Sequence, residues 1–555
     1  MTDATVFGAE QRSPLVCGAL GRYDRARVRR IADAFGNDDV RVVHEDATST
    51  LVMDRDPLPW GSGHRSGLGW IEALPWKVGP SSWEEASRRG ACGLVVEGRD
   101  RRLHSSVNGL GAIYWMSEGN ALYFASRIDP LVQATPRPLT IDWDAWSSII
   151  AMRFPGADRT PFAEIRRLQP YATLGWQRRR VRVEAPTWPW AETEQQLGHP
   201  EVGEVLAQSL RDTVAAVGRP VLVPLSGGRD SRMLACAFAE AGLADRTVSV
   251  SDDEGGTFEE DLAGPVAAAL GLERDLLRAG PANYPRNWLT RARLVEYQFV
   301  DHAWLVPLSR YVAHQQLPVA DGFAIDVLLG HGTRFFTAAT LERNDPRRAS
   351  LALFDSMRQH GQAHLALAES LRDPVVSRAR DLFLEVATQF EGAQAQNTLT
   401  FYRTRTIRGV ACYPTGLLGQ RASMVVPAAS DDFAVAALSA TLDARQDDGL
   451  YRSTFEALAP AIGRLPSTST APRPPANRAR LWRAEPSVAA HRQRLSKGPL
   501  AGLIDPGLRT WLDASPRDEL DPGLRLGLEG ISLLHAWWLR YRGQLREVDV
   551  ADLRG

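Results

Sequence analysis

At 555 residues the chain is too long for one compact core, and typical domain sizes imply two large domains or three smaller ones. A formal net charge of -1 and a pI of about 6.9 provide neither the basic field of a nucleic-acid binder nor an acidic field for basic partners. Four scattered cysteines without zinc-site or disulfide spacing, an N-terminus without a signal-peptide pattern, and no apolar run near the roughly 18 residues of a membrane span predict a soluble, cytoplasmic protein with no membrane partner.

Short apolar runs such as VRVVHE, ACGLVVEG and ALYFAS alternate with turn signals over residues 40–185 and predict a strand-rich first half. The proline-rich, polar stretch Glu184 to Pro200 precedes a change of periodicity, which sets a boundary between a domain over 1–190 and another over 200–555. Beyond it Val202, Val205, Leu206, Leu210, Val214 and Val217 recur at helical spacing, and RPVLVPLSGG is a short buried strand that stops at two glycines. Leu234, Phe238 and Ala241 mark the next helix, RTVSVS a second strand carrying Val250, and DLAGPVAAALG a third helix. This alternation predicts a doubly wound α/β domain with a parallel sheet. PVADGFAIDVLLG reads as another apolar strand ending in a glycine. From about residue 340 the pattern is mainly helical, interrupted between Leu465 and Arg480 by LPSTSTAPRPPANRAR, a linker or an active-site loop.

The strongest chemical signal is Ser226-Gly227-Gly228-Arg229-Asp230-Ser231 between a strand and a helix. A glycine turn at a helix N-terminus lets backbone N–H groups and serine hydroxyls surround a phosphate. Asp230 adds a carboxylate where Mg²⁺ would be needed, and because Mg²⁺ prefers one or two carboxylates together with phosphate oxygens and water, a second acid should converge on it. Asp326 is the candidate, at the end of the strand after which Asp321 and Gly322 face the nucleotide, since such strand ends line one crevice in a parallel sheet. Val250 joins the ATP-binding set.

These motifs resemble the asparagine synthetase family, whose C-terminal domain is an N-type ATP pyrophosphatase with an SGGxDS loop. NGLGAIYWMSEGNALYFASRIDPL and RTPFAEIRRLQPYATLGW resemble two further segments of that family, DGFAID stands where the family has S-G-E-G-x-D, and Gln420-Arg421-Ala422-Ser423-Met424 where it has D-R-x-S-M. The collinear match spans roughly residues 90 to 435. The resemblance implies an Ntn-hydrolase-like, glutaminase-like αββα domain followed by a PP-loop, adenine nucleotide α-hydrolase-like sheet with a helical C-terminal part. It also implies the cofactors ATP and Mg²⁺, a pyrophosphate-gripping loop, Asp230 and Asp326 as metal ligands, and an acyl-adenylate from which an amine displaces AMP.

Three departures from the family follow. Thr2 stands where glutamine-dependent members need a cysteine, and VCGALGRYD offers Cys17 as a glutaminase nucleophile only if it becomes N-terminal; otherwise the first domain is degenerate and Cys17 a buried hydrophobe. Phe323 replaces the family's glutamate and cannot accept a proton, which leaves His302, beside Asp301, and His331 as candidate bases. The family's late phosphate-binding lysine has no counterpart near LPSTSTAPRPP, where Arg473, Arg478 or the distant Lys497 could substitute. Members without glutaminase motifs resemble β-lactam synthetases and the macrolactam synthetases of lasso peptides. Phe323 and the aromatic wall of Phe299 and Trp304 favour the second group, with a precursor peptide or other carboxylate-bearing substrate and, as partners, a leader-binding protein and a protease. A glutamine-hydrolysing asparagine synthetase and an inactive scaffold are the alternatives.

Overall fold

The computed structural model describes residues 12–62, 65–71, 82–98, 100–177, 180–250, 257–278, 280–315, 317–330, 345–359, 362–445, 448–472, 485–495, 499–514 and 522–553. Among these described residues the fold is mixed α/β, with three principal sheets. The first half supplies twelve strands: β1 Val16–Gly21, β2 Arg41–Glu45, β3 Ser49–Met53, β4 Leu58–Ser62, β5 Arg65–Ile71, β6 Ala91–Glu97, β7 Asp100–His104, β8 Tyr114–Glu118, β9 Ala121–Ala125, β10 Arg166–Arg167, β11 Thr173–Gln177 and β12 Arg180–Glu184. They form two antiparallel six-stranded sheets, ordered β10-β8-β9-β1-β3-β2 and β12-β11-β7-β6-β5-β4. Leu20, Leu51, Met53, Leu122 and Phe124 of the first sheet share a buried cluster with Trp70, Cys92, Leu94, Leu103 and Leu174 of the second. Alternate residues of each strand point into that layer, the arrangement expected of an antiparallel sandwich.

The polar stretch after β12 is a packed strap. Trp188 and Trp190 are buried, and their indole N–H groups donate to the Val107 carbonyl at 2.9 Å and to Asp431 Oδ1 at 2.7 Å. Proline and charge dominate the composition there, but two indoles supply the apolar area that anchors it.

The second half is built on β13 Val221–Pro224, β14 Ala244–Val250, β15 Arg274–Leu277, β16 Val319–Ala320 and β17 Met424–Val425, all parallel, in the order β15-β14-β13-β16-β17. The chain winds one way from β13 to β15 and the other way from β16 to β17, so β13 and β16 flank a topological switch point, where such sheets open a ligand crevice. The helix His199–Val217 precedes β13; Pro200 occupies its first turn and Gly218, at φ 61°, ends it. Gly203 on that helix lets the helix Gly449–Leu458 come close, since a Cβ there would lie 2.6 Å from Ser453.

One expected strand is corrected. PVADGFAIDVLLG forms only the two-residue β16 and then the helix Ile325–Leu329. Asp321 turns the chain by accepting from the Phe323 N–H at 2.8 Å, and Ala324, at φ 68°, starts the helix from a left-handed conformation. An apolar run of this length is compatible with a buried strand or a short buried helix, and periodicity alone cannot separate them. Among the described residues, no helix is long and apolar enough to cross a membrane.

Candidate functional site

The loop Ser226–Ser231 lies at the C-terminal end of β13, and Gly228 caps the helix Arg229–Glu240. Its donors are held by short-range acceptors: the Ser226 N–H donates to Ser231 Oγ at 3.0 Å, the Gly228 N–H to Ser226 Oγ at 3.1 Å, and the Gly227 N–H to Glu259 Oε2 at 2.7 Å. Glu259 comes from the first turn of the neighbouring helix Phe258–Ala269. Its carboxylate occupies the Gly227 N–H. Val250 ends β14 in register with Leu277.

Across the switch point the loop after β16 makes close contact with this turn. Gly322 abuts Asp230, where a Cβ would come within 2.9 Å of the aspartate's Cβ, so glycine is required for the two loops to meet. Burial, set against one backbone donor from Phe323, pushes the Asp321 carboxyl up to about 6. Asp326 opens the next helix and accepts from the Val327 N–H at 2.8 Å.

Tyr451, buried on the helix Gly449–Leu458, brings the two aspartates into one environment. Its hydroxyl donates to Asp230 Oδ1 at 2.5 Å. Burial first, then the charges of Asp230 and Asp326, pushes that hydroxyl well above its ordinary value, so it remains a donor through the neutral range. The Arg229 guanidinium lies 3.9 Å over the Tyr451 ring and grips Asp448 with both ends, at 2.7 and 2.9 Å. Carboxylates of the Asp230 and Asp326 kind are donors that suit Mg²⁺; no cluster of three or more His, Cys, Asp or Glu residues able to hold an ion occurs among the described residues.

The segment LPSTST docks on the same loop. The Thr468 N–H donates to the Gly227 carbonyl at 3.0 Å, while the buried Arg232 donates to the carbonyls of Leu465 at 2.7 Å and Pro466 at 2.8 Å. This part of the predicted loop therefore packs on the turn Ser226–Ser231. Arg473 and Arg478, together with His331 and Lys497, lie outside the described residues.

The candidate base His302 closes the segment 295–302. Glu296, Tyr297 and His302 have φ of 49°, 60° and 61°, a run of left-handed conformations that costs energy in non-glycine residues. His302 Nδ1 accepts from the Trp304 indole at 3.1 Å, and its ring meets Tyr413 edge-on at 4.8 Å. Asp301 pairs with Arg153 at 3.0 Å; burial would raise its pKa, but Arg153, then His302, Arg405 and Arg291, hold it below the usual value. Arg405 lies within electrostatic reach of Arg153, Asp326 and Asp301. Phe323, 3% exposed, packs edge-on to Tyr402 with ring centroids 6.2 Å apart and serves the core.

Cys17 lies in β1 between β3 and β9, fully buried, and burial pushes its thiol far up, so it is inert as placed. A cavity of about 1000 Å³ near the start of β1 is lined by Leu15, Asp54, Ser126, Arg127, Gln298 and Cys412, among others, and not by Cys17.

The sequence singles out both aspartates and the loop, and gives no indication of Tyr451, Asp448 or Arg405 beside them. The first two carry no local signal. Arg405 had one: YRTRTIRG places three arginines, Arg403, Arg405 and Arg408, in an apolar context. No protein-family model matches the chain, and no curated protein matches it.

Proposed function

We propose that this chain is an ATP-dependent amide synthetase resembling the asparagine synthetase family, with an Ntn-hydrolase-like sandwich that has lost glutaminase chemistry and a PP-loop ATP pyrophosphatase-like sheet. The observation that carries the reading is the contact of Gly322 with Asp230 across the switch point, beneath a phosphate-type turn. Buried, mid-strand Cys17 supports a synthetase that does not hydrolyse glutamine.

In this reading the N–H groups and hydroxyls of Ser226–Ser231 exchange their present acceptors for the β- and γ-phosphates. Asp230 and Asp326 would hold Mg²⁺, which when bound offsets charge on the phosphates. A substrate carboxylate oxygen attacks the α-phosphorus and pyrophosphate leaves. An amine then attacks the acyl carbon of the adenylate, and AMP carries away the former carboxylate oxygen. Tyr451 orients Asp230 throughout, and His302 is the described candidate to take the amine proton. Phe299 and Tyr413 are buried and serve the core, and only Trp304 of the aromatic set is partly exposed; macrolactam closure of a precursor peptide, as in lasso peptides, served by a leader-binding protein and a protease, is the substrate reading carried from the sequence.

The test supplies Mg-ATP, acidic peptides carrying heavy oxygen in the side-chain carboxylate, and hydroxylamine as amine. AMP and pyrophosphate in equal amounts, with the label transferred to AMP, are expected. Formation of ADP and orthophosphate would overturn the reading.

A further inference from the structure

Three buried arginines meet where the two halves of the chain join. Arg167 stands in β10 of the first sandwich sheet, while Arg403 and Arg408 stand on Tyr402–Val410, a π-helix of the second half. They are 7%, 6% and 3% exposed. With Gln169, Val386 and Ile407, among others, they line a cavity that has about 10 Å³ of space for the centre of a water-sized sphere. That is room for one water molecule or one monatomic ion, and too little for a phosphate or a carboxylate.

Each guanidinium is fixed in place. Arg167 donates to the carbonyls of Ile407 at 2.9 Å and Gly109 at 2.8 Å. Arg403 donates to Gln169 Oε1 at 2.9 Å and lies 5.3 Å from the Trp188 ring centroid, against the strap. Arg408 donates to the Arg159 carbonyl through Nη2, and its Nε and Nη1 are buried without a hydrogen-bond partner. Residues five positions apart would point about 140° from one another around an α-helix. The wider π-helix, whose bonds run over five residues, brings Arg403 and Arg408 to the same cavity.

The charge balance is one-sided. No aspartate or glutamate occurs among the described residues that line the cavity. The acid within electrostatic reach of Arg408, Asp158, is paired with Arg166 at 3.3 Å. Burial, then the charge of Arg167, pushes the Arg403 and Arg408 guanidiniums down to about 10, so both remain cations at neutral pH. Burying like charges together is costly unless an opposite charge joins them. Water would satisfy the orphaned N–H groups and leave the charge; an anion answers both.

We infer that this cavity is the binding site of a single small inorganic anion, chloride, held by Arg408 Nε and Nη1 between the charges of Arg167 and Arg403, and that the ion locks the π-helix to the first sandwich. The site goes beyond the synthetase reading and does not depend on it, since none of Ser226–Ser231, Asp321 or Asp326 lines the cavity.

The experiment uses the full chain with sodium chloride, bromide or gluconate at matched ionic strength. Crystals grown without halide and soaked in bromide should show a bromine anomalous peak at hydrogen-bonding distance from Arg408 Nε or Nη1. Replacing gluconate by chloride or bromide should raise the melting temperature of wild type saturably, by about 2 °C or more. Arg408→Met and the milder Arg408→Gln should lose that response. Three results would each overturn the inference: water in the cavity without a bromine signal, equal melting in chloride and gluconate, or a chloride response that Arg408→Met keeps in full. The bromide crystals of wild type decide the matter if neither variant folds.

Discussion

Replacing Tyr451 by phenylalanine removes one oxygen atom and isolates what the hydroxyl does for Asp230. The ring remains, so the stacking of Arg229 at 3.9 Å and the packing on the helix His199–Val217 are retained. What is lost is a 2.5 Å hydrogen bond to Asp230 Oδ1. A bond to a charged acceptor contributes about 1.5–3 kcal/mol, and because Asp230 is partly exposed, water recovers some of it, which leaves the lower end. At about 1.4 kcal/mol per decade, Mg-ATP affinity should fall about tenfold to thirtyfold. Titration of Mg-ATP at several Mg²⁺ concentrations should show the loss in the metal dependence, with a melting temperature only slightly lowered. Since the hydroxyl is protonated across the neutral range, the loss should be constant between pH 6.5 and 8.5, a window of about two units below the ordinary tyrosine pKa. Unchanged affinity in Tyr451→Phe, or a deficit that grows with pH, would refute the role given to the hydroxyl.

Three further outcomes follow from the same loops. Gly322→Ala places a Cβ within 2.9 Å of the Asp230 Cβ, and overpacking of this kind costs about 1–3 kcal/mol, so both melting temperature and Mg-ATP affinity should fall, the affinity more. Ala324→Gly relieves a left-handed alanine at φ 68°; about 1–2 kcal/mol of strain against the extra freedom of glycine in the unfolded chain predicts a net gain of about 0.5–1 kcal/mol by denaturant unfolding. Asp321→Asn tests the buried carboxyl: its pKa is raised by burial to about 6, so its contribution is present below the unfolded value and is lost as pH rises through about 6. The asparagine variant should therefore match wild type near pH 3.5 and gain on it between about pH 4 and 6.5, by about 1–3 kcal/mol at the top of that range, with no further change above it. Parallel stability curves would contradict the assignment.

The parts of this site that lie within a few residues of one another were readable from the chain. Ser226–Ser231 between an apolar run and a helical period predicted a phosphate turn at a strand end, and the sheet order places that turn at the switch point. Asp326 was found as an acid after an apolar run, although it opens a helix and does not end a strand, because Asp321 and Ala324 bend the backbone just before it. Tyr451 and Asp448 were not legible. They reach the loop only because Gly203 lets two helices pack closely, and close packing between segments some 220 residues apart, as for Tyr451 and Asp230, leaves no local trace. The proline- and serine-rich stretch that starts at Leu465 reads as irregular, and its described part, residues 465–472, is so; its docking on Gly227 goes with Arg232, whose burial a helical pattern does not reveal.

The most direct test of the central claim uses Mn²⁺ as a paramagnetic stand-in for Mg²⁺, with electron paramagnetic resonance to count ions bound per chain. With ATP present, the account predicts one tightly bound ion, and weakening of at least tenfold in each of Asp230→Asn and Asp326→Asn, since each removes one of two carboxylates from the same site. Binding of the ion and nucleotide that is indifferent to either substitution would contradict it.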